Sequence, residues 1–229
     1  MKNTIRIIGF DADDTLWDNE PFFRETEQCF LDLMAEYGSR KEMMQRLFDI
    51  EMQNMELYGY GVKAFMLSMI EAALSISKHK ISPHVIEQII DLGKTQLHKP
   101  VQLLDGVREV LTALQGRYKL LLATKGDILD QERKLNASGL GDFFQHVEVM
   151  SNKTSKEYKR LLKHMEAQPK EFLMIGNSLR SDILPVLELG CYAIHVPYHT
   201  IWAHEEAEAP TEHPHFYTIS SLKELENYV

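Results

Sequence analysis

Short apolar runs that stop at polar clusters alternate along the chain with segments of helical periodicity. The run at residues 5–10 stops at three aspartates within four residues, and the runs at 118–123 and 172–175 are also followed by polar residues. Strands of a parallel sheet that helices cover on both faces are buried, and they read as continuous apolar runs. The pattern therefore predicts an α/β fold with a mostly parallel sheet, whose other strands lie near residues 146–150, 192–196 and 216–219.

The stretch between residues 19 and 98 departs from this alternation. Its apolar residues recur at helical spacing in four successive segments, and no alternating strand pattern interrupts them. Ser82 followed by Pro83 is typical of a helix start, because Ser caps free amide groups and Pro is favoured at the first helical position. We predict a helical domain at 19–98, inserted into an α/β core formed by 1–18 and 99–229.

The composition is that of an ordinary soluble globular protein, since 44% of the 229 residues are hydrophobic and 26% are charged. The net charge of -9 argues against nonspecific binding to nucleic acid or to an anionic membrane surface. Cys29 and Cys191 lie far apart without metal-ligand spacing, and we expect free thiols. The first apolar run is too short for a signal peptide or a membrane span, so we predict a cytoplasmic protein. The sequence predicts no oligomeric state.

The aspartate cluster after the first strand lies where open α/β sheets place their ligands, outside the carboxyl ends of the strands. On an extended backbone Asp11 and Asp13 point the same way, and two such carboxylates need a cation or a shared proton. A solvated acidic turn and a calcium loop are the alternatives. The calcium loop requires Gly at its sixth position and a preceding helix, whereas Leu16 and a strand stand there, so calcium is disfavoured.

Polar groups after later apolar runs have ordinary explanations when each is taken alone. Thr124 is a candidate helix N-cap, and Lys153 is a candidate solvated lysine. Asn177 and Asp182 suit the start of a helix, where acceptors and negative charge are stabilising. Because the carboxyl ends of parallel strands meet at one edge of the sheet, we expect these groups to meet Asp11 there.

The segment Phe-Asp-Ala-Asp-Asp-Thr-Leu-Trp at 10–17 resembles the nucleophile loop, Asp-x-Asp-x-Thr, of the haloacid dehalogenase-like (HAD) hydrolases. Thr124 after a later strand, Lys153 before a later helix, and Gly-Asn-Ser followed by Asp at 176–182 match the remaining HAD motifs in order. The resemblance spans both sides of the helical insert and implies a Rossmann-like core. The insert lies between the first and second motifs, and in this it resembles the helical C1 type of HAD cap.

The resemblance also implies a phosphatase that works through a covalent aspartyl-phosphate. Asp11 would be the nucleophile, and Asp13 would protonate the leaving oxygen and then activate the hydrolytic water. Thr124, Lys125 and Lys153 would bind the phosphate. Lys153 would also offset the charge of Asp11, without which a dianionic phosphate would not approach an anionic nucleophile.

The resemblance to the HAD hydrolases also implies a Mg²⁺ cofactor. Asp11 through its carboxylate, Asp13 through its backbone carbonyl, and the loop from Asn177 to Asp182 would hold the ion. The fourth HAD motif usually begins Gly-Asp, whereas Gly176-Asn177 stands here. A neutral amide offers an oxygen but no charge. We therefore expect weaker Mg²⁺ binding and a larger part for Asp182, directly or through water.

The expected substrate is a small phosphorylated metabolite, and neither nucleic acid nor membrane is an expected partner. A haloacid dehalogenase shares the aspartate nucleophile but typically lacks the second acid and the metal. Asp13 and Thr15 argue against it, whereas Asn177 is common to both. A phosphomutase and a non-catalytic regulatory protein on the same fold stay open. Lys156 precedes the same helix as Lys153, and we prefer Lys153 because its spacing to that helix fits the family pattern better.

Overall fold

A single sheet of six parallel strands forms the centre of the computed structural model, which describes residues 4–229. The strands are β1 (Ile7–Phe10), β2 (Lys119–Lys125), β3 (His146–Met150), β4 (Phe172–Gly176), β5 (Tyr192–His195) and β6 (Phe216–Thr218). Their order across the sheet is β3-β2-β1-β4-β5-β6, and every neighbouring pair is parallel. The strand order reverses between β1 and β4, and ligands of such sheets bind outside the carboxyl ends at the reversal.

Eight α-helices accompany the sheet within residues 4–229. They are α1 (Glu20–Leu33), α2 (Arg40–Tyr58), α3 (Val62–Ile76), α4 (Pro83–Leu97), α5 (Val107–Leu114), α6 (Ile128–Ser138), α7 (Ser155–His164) and α8 (Leu184–Leu187). Two apolar clusters cover the two faces of the sheet, one with α5 and the other with α7 and α8. Ile8 and Phe10 of β1 belong to the first cluster and Ile7 belongs to the second, as the alternation of side chains along a strand requires.

The chain divides into two compact units. The first contains the sheet and comprises the described residues up to Glu20, Val101–Lys125 and Gln131–Val229. The second contains nearly all of α1–α4 and comprises Pro21–Pro100 and Gly126–Asp130. The helical unit has an apolar core of its own, which includes Phe30, Leu47 and Met69. The interpretation of residues 19–98 as a cap domain stays a prediction.

Local sequence accounts for the ends of the helices in the helical unit. At the start of α2, Ser39 accepts a hydrogen bond from the backbone N–H of Glu42, whose side chain accepts one from the backbone of Ser39 in return. Gly59, with a φ of 71°, ends this helix in the left-handed region that glycine adopts without strain. Ser82 caps α4, and Pro83 is its first residue, as the sequence predicted.

The predicted α/β class, the parallel sheet and the four helices between residues 19 and 98 are confirmed. The sequence pattern did not indicate the turn of π-helix at Leu179–Ile183 or the short helix α8 that follows it. Cys29 and Cys191 are free thiols, as expected. Within residues 4–229 we find no helix that is long and apolar enough to cross a membrane.

Candidate active site

The carboxyl ends of β2, β1 and β4 carry polar residues that the sequence singled out. Asp11 directly follows β1, Thr124 and Lys125 are the last two residues of β2, and Asn177 follows β4. Because β1 lies between β2 and β4, these positions share one edge of the sheet. Asp11 is tied to the end of β4, since its backbone N–H donates to the carbonyl of Ile175 at 2.9 Å. Thr124 is buried, and its role in phosphate binding stays a prediction.

Asp11, Lys153 and Asp182 form a buried ion cluster. Lys153 Nζ lies 2.5 Å from Asp11 Oδ1 and 2.7 Å from Asp182 Oδ1. Burial alone would lower the pKa of Lys153, but the charges of the two aspartates outweigh burial and hold this pKa well above its ordinary value. Lys153 is therefore charged, and it compensates two carboxylates that would otherwise be costly to bury. Of the two candidate lysines, Lys153 reaches Asp11, whereas Lys156 is exposed.

The loop after β4 holds Asp182 in place. Asp182 Oδ2 accepts the backbone N–H of Ser178 at 3.0 Å, and the backbone N–H of Asp182 donates to the carbonyl of Ser178 at 2.9 Å. A Cβ atom at Gly176 would overlap Asp182 Oδ2, so glycine leaves the room that this carboxylate occupies. The pKa of Asp182 is raised because the side chain is buried and because it faces the charge of Asp11.

Thr15 links the aspartate loop to the loop after β4. Its hydroxyl donates to Asp11 Oδ2 at 2.8 Å and accepts the backbone N–H of Asn177 at 3.1 Å, while Asn177 Oδ1 lies 3.3 Å away. His195 Nε2 pairs with the carbonyl of Asn177 at 3.0 Å.

Asp13 has a set of partners of its own. Its Oδ1 accepts hydrogen bonds from Trp17 Nε1 at 2.7 Å and from Lys134 Nζ at 2.6 Å, and its Oδ2 accepts one from Gln131 Nε2 at 2.8 Å. Burial alone would raise the pKa of Asp13, but Lys134 and these hydrogen bonds outweigh burial and lower it. The expectation that Asp11 and Asp13 point the same way assumed an extended backbone. In fact β1 ends before Asp11, and the two carboxylates bind different lysines.

Lys125, which the sequence predicted to bind phosphate, is paired within the protein. Its Nζ forms an ion pair with Glu205 Oε1 and donates to Ser181 Oγ at 2.9 Å. The hydroxyls of Ser178 and Ser181 also donate to Glu205 Oε2. Burial lowers the pKa of Lys125, and the charge of Glu205 opposes this effect. The role of Lys125 in phosphate binding stays a prediction.

The potential metal ligands around the ion cluster are carboxylate and amide oxygen atoms. Within residues 4–229 there is no cluster of three or more His, Cys, Asp and Glu side chains that could hold a metal ion. Two carboxylates, of Asp11 and Asp182, converge on the ammonium of Lys153, and the amide oxygen of Asn177 shares the Thr15 hydroxyl with Asp11. Mg²⁺ takes oxygen ligands and is commonly bound by one or two carboxylates completed by water and substrate. This donor set fits Mg²⁺, and the predicted ligand roles stay predictions.

Three residues that contact the predicted site residues were not indicated by the sequence motifs: Gln131, Lys134 and Glu205. Gln131 and Lys134 lie three positions apart on α6, the helix that follows β2, so helical spacing places both on one face. Two polar residues on one face of this helix are the sequence signal that could have indicated them. Glu205 lies in a 3₁₀ turn, Ala203–Glu205, within a segment without periodicity, and no pattern marked it.

The haloacid dehalogenase-like hydrolase family matches residues 5–190 of the chain. The match covers most of the chain, and it includes the aspartate loop, Lys153 and the loop that carries Asp182. The protein therefore belongs to the haloacid dehalogenase-like hydrolases, and the predicted family and Rossmann-like fold are confirmed.

Individual relatives extend this similarity. The crystal structure of a haloacid dehalogenase-like family hydrolase from Xanthomonas campestris is 36% identical and covers 98% of this chain and 90% of its own, with a TM-score of 0.89. N-acylneuraminate-9-phosphatase of Mus musculus is 25% identical over 235 residues, which are 96% of this chain and 92% of that protein. The HAD-hydrolase YfnB of Bacillus subtilis, solved with magnesium bound, is 20% identical, covers 98% of both chains with a TM-score of 0.65, and shares the fold.

Proposed function

We propose that the protein is a Mg²⁺-dependent phosphomonoesterase that transfers the phosphoryl group of a small phosphate ester to Asp11 and then to water. The observation that carries the proposal is the buried Asp11 carboxylate, whose Oδ1 lies 2.5 Å from Lys153 Nζ. An anionic nucleophile can receive a dianionic phosphate only where positive charge compensates both, and Lys153 supplies such charge. The relative from Mus musculus is by its name a phosphatase, which supports this class of reaction.

The reaction proceeds in two halves. First, a carboxylate oxygen of Asp11 attacks phosphorus, the bond between phosphorus and the ester oxygen breaks, and Asp13 gives a proton to the departing oxygen. Then the ionised Asp13 takes a proton from a water molecule, which attacks phosphorus and releases inorganic phosphate and the free Asp11 carboxylate. Thr15 donates to Asp11 Oδ2 at 2.8 Å and Lys153 donates to Oδ1, so both residues orient the nucleophile.

Residues at the carboxyl ends of the strands bind the phosphate group of the ester. Thr124 at the end of β2 and Lys153 before α7 hold the oxygens of the transferring phosphoryl group. Lys125 adds positive charge at the same edge of the sheet, although its ion pair with Glu205 reduces that charge. These contacts stabilise the transferring group by position and charge, which is the main source of catalysis in phosphoryl transfer.

Mg²⁺ would be held by the carboxylate of Asp11, the backbone carbonyl of Asp13, the amide oxygen of Asn177 and the carboxylate of Asp182. When bound, the ion neutralises charge on the phosphoryl group. Asn177 contributes an oxygen without a charge, so the protein binds Mg²⁺ more weakly than it would with aspartate at this position. The convergence of Asp11 and Asp182 on one ammonium supports the assignment, because it shows that the two carboxylates can share a cation.

We also propose that the helical unit acts as a cap that selects among small phosphate esters. Its place in the chain supports this proposal, because the main segment of the unit, Pro21–Pro100, begins directly after the aspartate loop and ends before β2. Specificity in such enzymes depends on the groups that contact the ester beyond its phosphate, and we assign this selection to the helical unit and not to the aspartate loop.

The test is phosphate release from a panel of small phosphate esters, with and without Mg²⁺, by the wild-type protein and by Asp11→Asn. We expect Mg²⁺-dependent release that Asp11→Asn abolishes while it remains folded. Asp142→Asn, a change at an exposed position in a 3₁₀ turn, is the matched control and should release phosphate at the wild-type rate. Absence of release at high Mg²⁺ would refute the proposal, and metal-independent chloride release from 2-chloropropionate would then favour a dehalogenase.

A further inference from the structure

Three donors hold the carboxylate of Asp13, and two of them come from a distant helix. Trp17 reaches Oδ1 from the same loop, whereas Lys134 reaches Oδ1 and Gln131 reaches Oδ2 from α6. The three distances lie between 2.6 and 2.8 Å. Both carboxylate oxygens are therefore engaged, and any rotation of the Asp13 side chain breaks at least one hydrogen bond.

Second contacts fix the two residues on α6. Gln131 Nε2 also donates to the backbone carbonyl of Lys125 at 3.1 Å, and Lys134 Nζ also donates to Asn19 Oδ1 at 3.1 Å. Gln131 is 5% exposed and the Lys134 side chain is 13% exposed, so both lie in a site with little solvent. Such side chains restrict the orientation of the group that they contact.

Within the described part of the chain, only the NH₂ group of the buried Gln131 side-chain amide has hydrogen-bond partners. Its Oε1 is buried and has no hydrogen-bond partner among residues 4–229. Its Nε2 donates to Asp13 Oδ2 and to the backbone carbonyl of Lys125. A buried amide oxygen without a partner is costly, and natural proteins retain few of them. The NH₂ group of Gln131 thus connects the carboxylate of Asp13 to the backbone at the end of β2.

We propose that Lys134 and Gln131 are positioning residues that orient Asp13 for proton transfer to the departing oxygen. This inference rests on the proposed function, in which Asp13 is the general acid. Proton transfer requires the acid to lie within hydrogen-bond reach of the leaving oxygen, so the orientation of the Asp13 carboxylate sets its efficiency. Neither Lys134 nor Gln131 needs to touch the substrate to have this effect.

The leaving group of the substrate provides the readout. An aryl phosphate such as p-nitrophenyl phosphate departs as a stable phenolate and needs little proton transfer. An alkyl phosphate such as glycerol phosphate must be protonated as it departs. The value of kcat/KM reports the first transfer, to Asp11, and excludes the later hydrolysis step that both esters share. Loss of the orientation of Asp13 should therefore lower kcat/KM for the alkyl ester far more than for the aryl ester.

The experiment compares kcat/KM for the two esters in the presence of Mg²⁺ among the wild-type protein, Lys134→Met and Gln131→Leu. General acid catalysis is worth about 10²–10⁴-fold, so we expect the alkyl ester to lose at least about tenfold more than the aryl ester in Lys134→Met. Lys134→Arg keeps a charged donor and should recover part of the loss. Lys163→Met, at an exposed position in the last turn of α7, is the matched control and should change neither value.

Folding of each variant is checked by circular dichroism and urea unfolding. If Lys134→Met does not fold, Gln131→Leu decides the question, because it keeps the charge beside Asp13. Equal losses on the two esters in folded variants would overturn the inference and leave the proposed function intact. Absence of phosphate release from both esters by the wild-type protein would refute the proposed function and the inference with it.

Discussion

Lys125 forms an ion pair with Glu205, although 80 positions separate the two residues in the sequence. The pair joins the end of β2 to the 3₁₀ turn Ala203–Glu205. The hydroxyls of Ser178 and Ser181, in the loop after β4, donate to the same carboxylate. Glu205 thus connects its own 3₁₀ turn with the end of β2 and with the loop after β4, at the edge of the sheet where the proposed site lies.

Glu205→Gln should remove a pH-dependent contribution to stability. Burial would raise the pKa of Glu205, but Lys125 and the two serine hydroxyls outweigh burial and lower it from 4.5 to about 2. A lowered pKa in the folded state stabilises the protein fully above the unfolded-state pKa, and this stabilisation is lost as the pH falls from about 5 to about 2. The contribution at neutral pH is on the order of 3 kcal/mol. Urea unfolding of both proteins between neutral and acidic pH measures it.

The expected signature is a difference in the free energy of unfolding that shrinks as the pH falls. His204 and Arg180 lie beside the ion pair and are present in both proteins. Glu206→Gln changes the adjacent residue and is the matched control, for which we expect little difference at any pH. A difference for Glu205→Gln that is the same at neutral and acidic pH would contradict the prediction.

Lys153→Met should destabilise the protein strongly in the absence of Mg²⁺. The variant leaves Asp11 and Asp182 buried and facing one another without a cation. Removal of one partner of a buried ion pair costs about 3–5 kcal/mol, because the remaining charge has neither water nor a counter-ion. Urea unfolding measures this loss.

Two comparisons separate charge from packing in this prediction. Lys156→Met, at an exposed position on the same helix, should be close to neutral. Lys153→Met combined with Asp182→Asn removes one of the two carboxylates and should recover part of the lost stability. If Lys153→Met alone proved as stable as the wild-type protein, the ion cluster would not be a significant source of stability.

The sheet and the inserted helices could be predicted because apolar runs and helical spacing are local properties of the chain. The proximity of Asp11, Lys153 and Asp182 could be predicted because each follows a strand or precedes a helix at a family-specific spacing. The partners of Lys125 and Lys134 could not, since 80 and 121 positions separate these lysines from Glu205 and Asp13. A single lysine in a sequence is by base rate a solvated one, and only tertiary packing reveals which carboxylate it meets.

The different partners of the two aspartates show a second limit of sequence reasoning. Alternation along an extended strand places Asp11 and Asp13 on the same side. The chain leaves the sheet one residue before Asp11 and turns sharply, since Asp14 has a φ of 61°. Hydrogen bonds such as that from Trp17 Nε1 to Asp13 then determine which groups each carboxylate contacts. Side-chain periodicity holds only as far as the strand continues.

Gly176→Ala should displace Asp182 and lower both stability and turnover. The added Cβ would overlap the carboxylate of Asp182, so this carboxylate must shift, and the shift should weaken its contact with Lys153. Insertion of a methyl group into a packed site costs about 1–3 kcal/mol, measured here by urea unfolding. Gly141→Ala is the matched control, because a Cβ there would meet no atom within 4 Å. A Gly176→Ala protein that released phosphate at the wild-type rate would show that the position of Asp182 is not critical.

Asn177→Asp should strengthen Mg²⁺ binding and destabilise the metal-free protein. The change adds a carboxylate that shares the Thr15 hydroxyl with Asp11, and the added charge repulsion is relieved when Mg²⁺ binds. The contacts with Thr15 should survive, because an aspartate oxygen accepts a hydrogen bond as the amide oxygen does and the backbone N–H is unchanged. We expect about tenfold tighter binding, or about 1.4 kcal/mol, by calorimetric titration with Mg²⁺.

Thermal unfolding provides the second readout for Asn177→Asp. Without Mg²⁺ the Tm of the variant should fall below that of the wild-type protein, and saturating Mg²⁺ should raise it by a larger increment, because a ligand stabilises the folded state in proportion to its affinity. Asn136→Asp adds the same charge at an exposed position of α6 and should alter neither quantity. A lower Tm without tighter Mg²⁺ binding would mean that Asn177 lies near the carboxylates but outside the metal site, and Asp182 would then be the residue that carries metal binding in this loop.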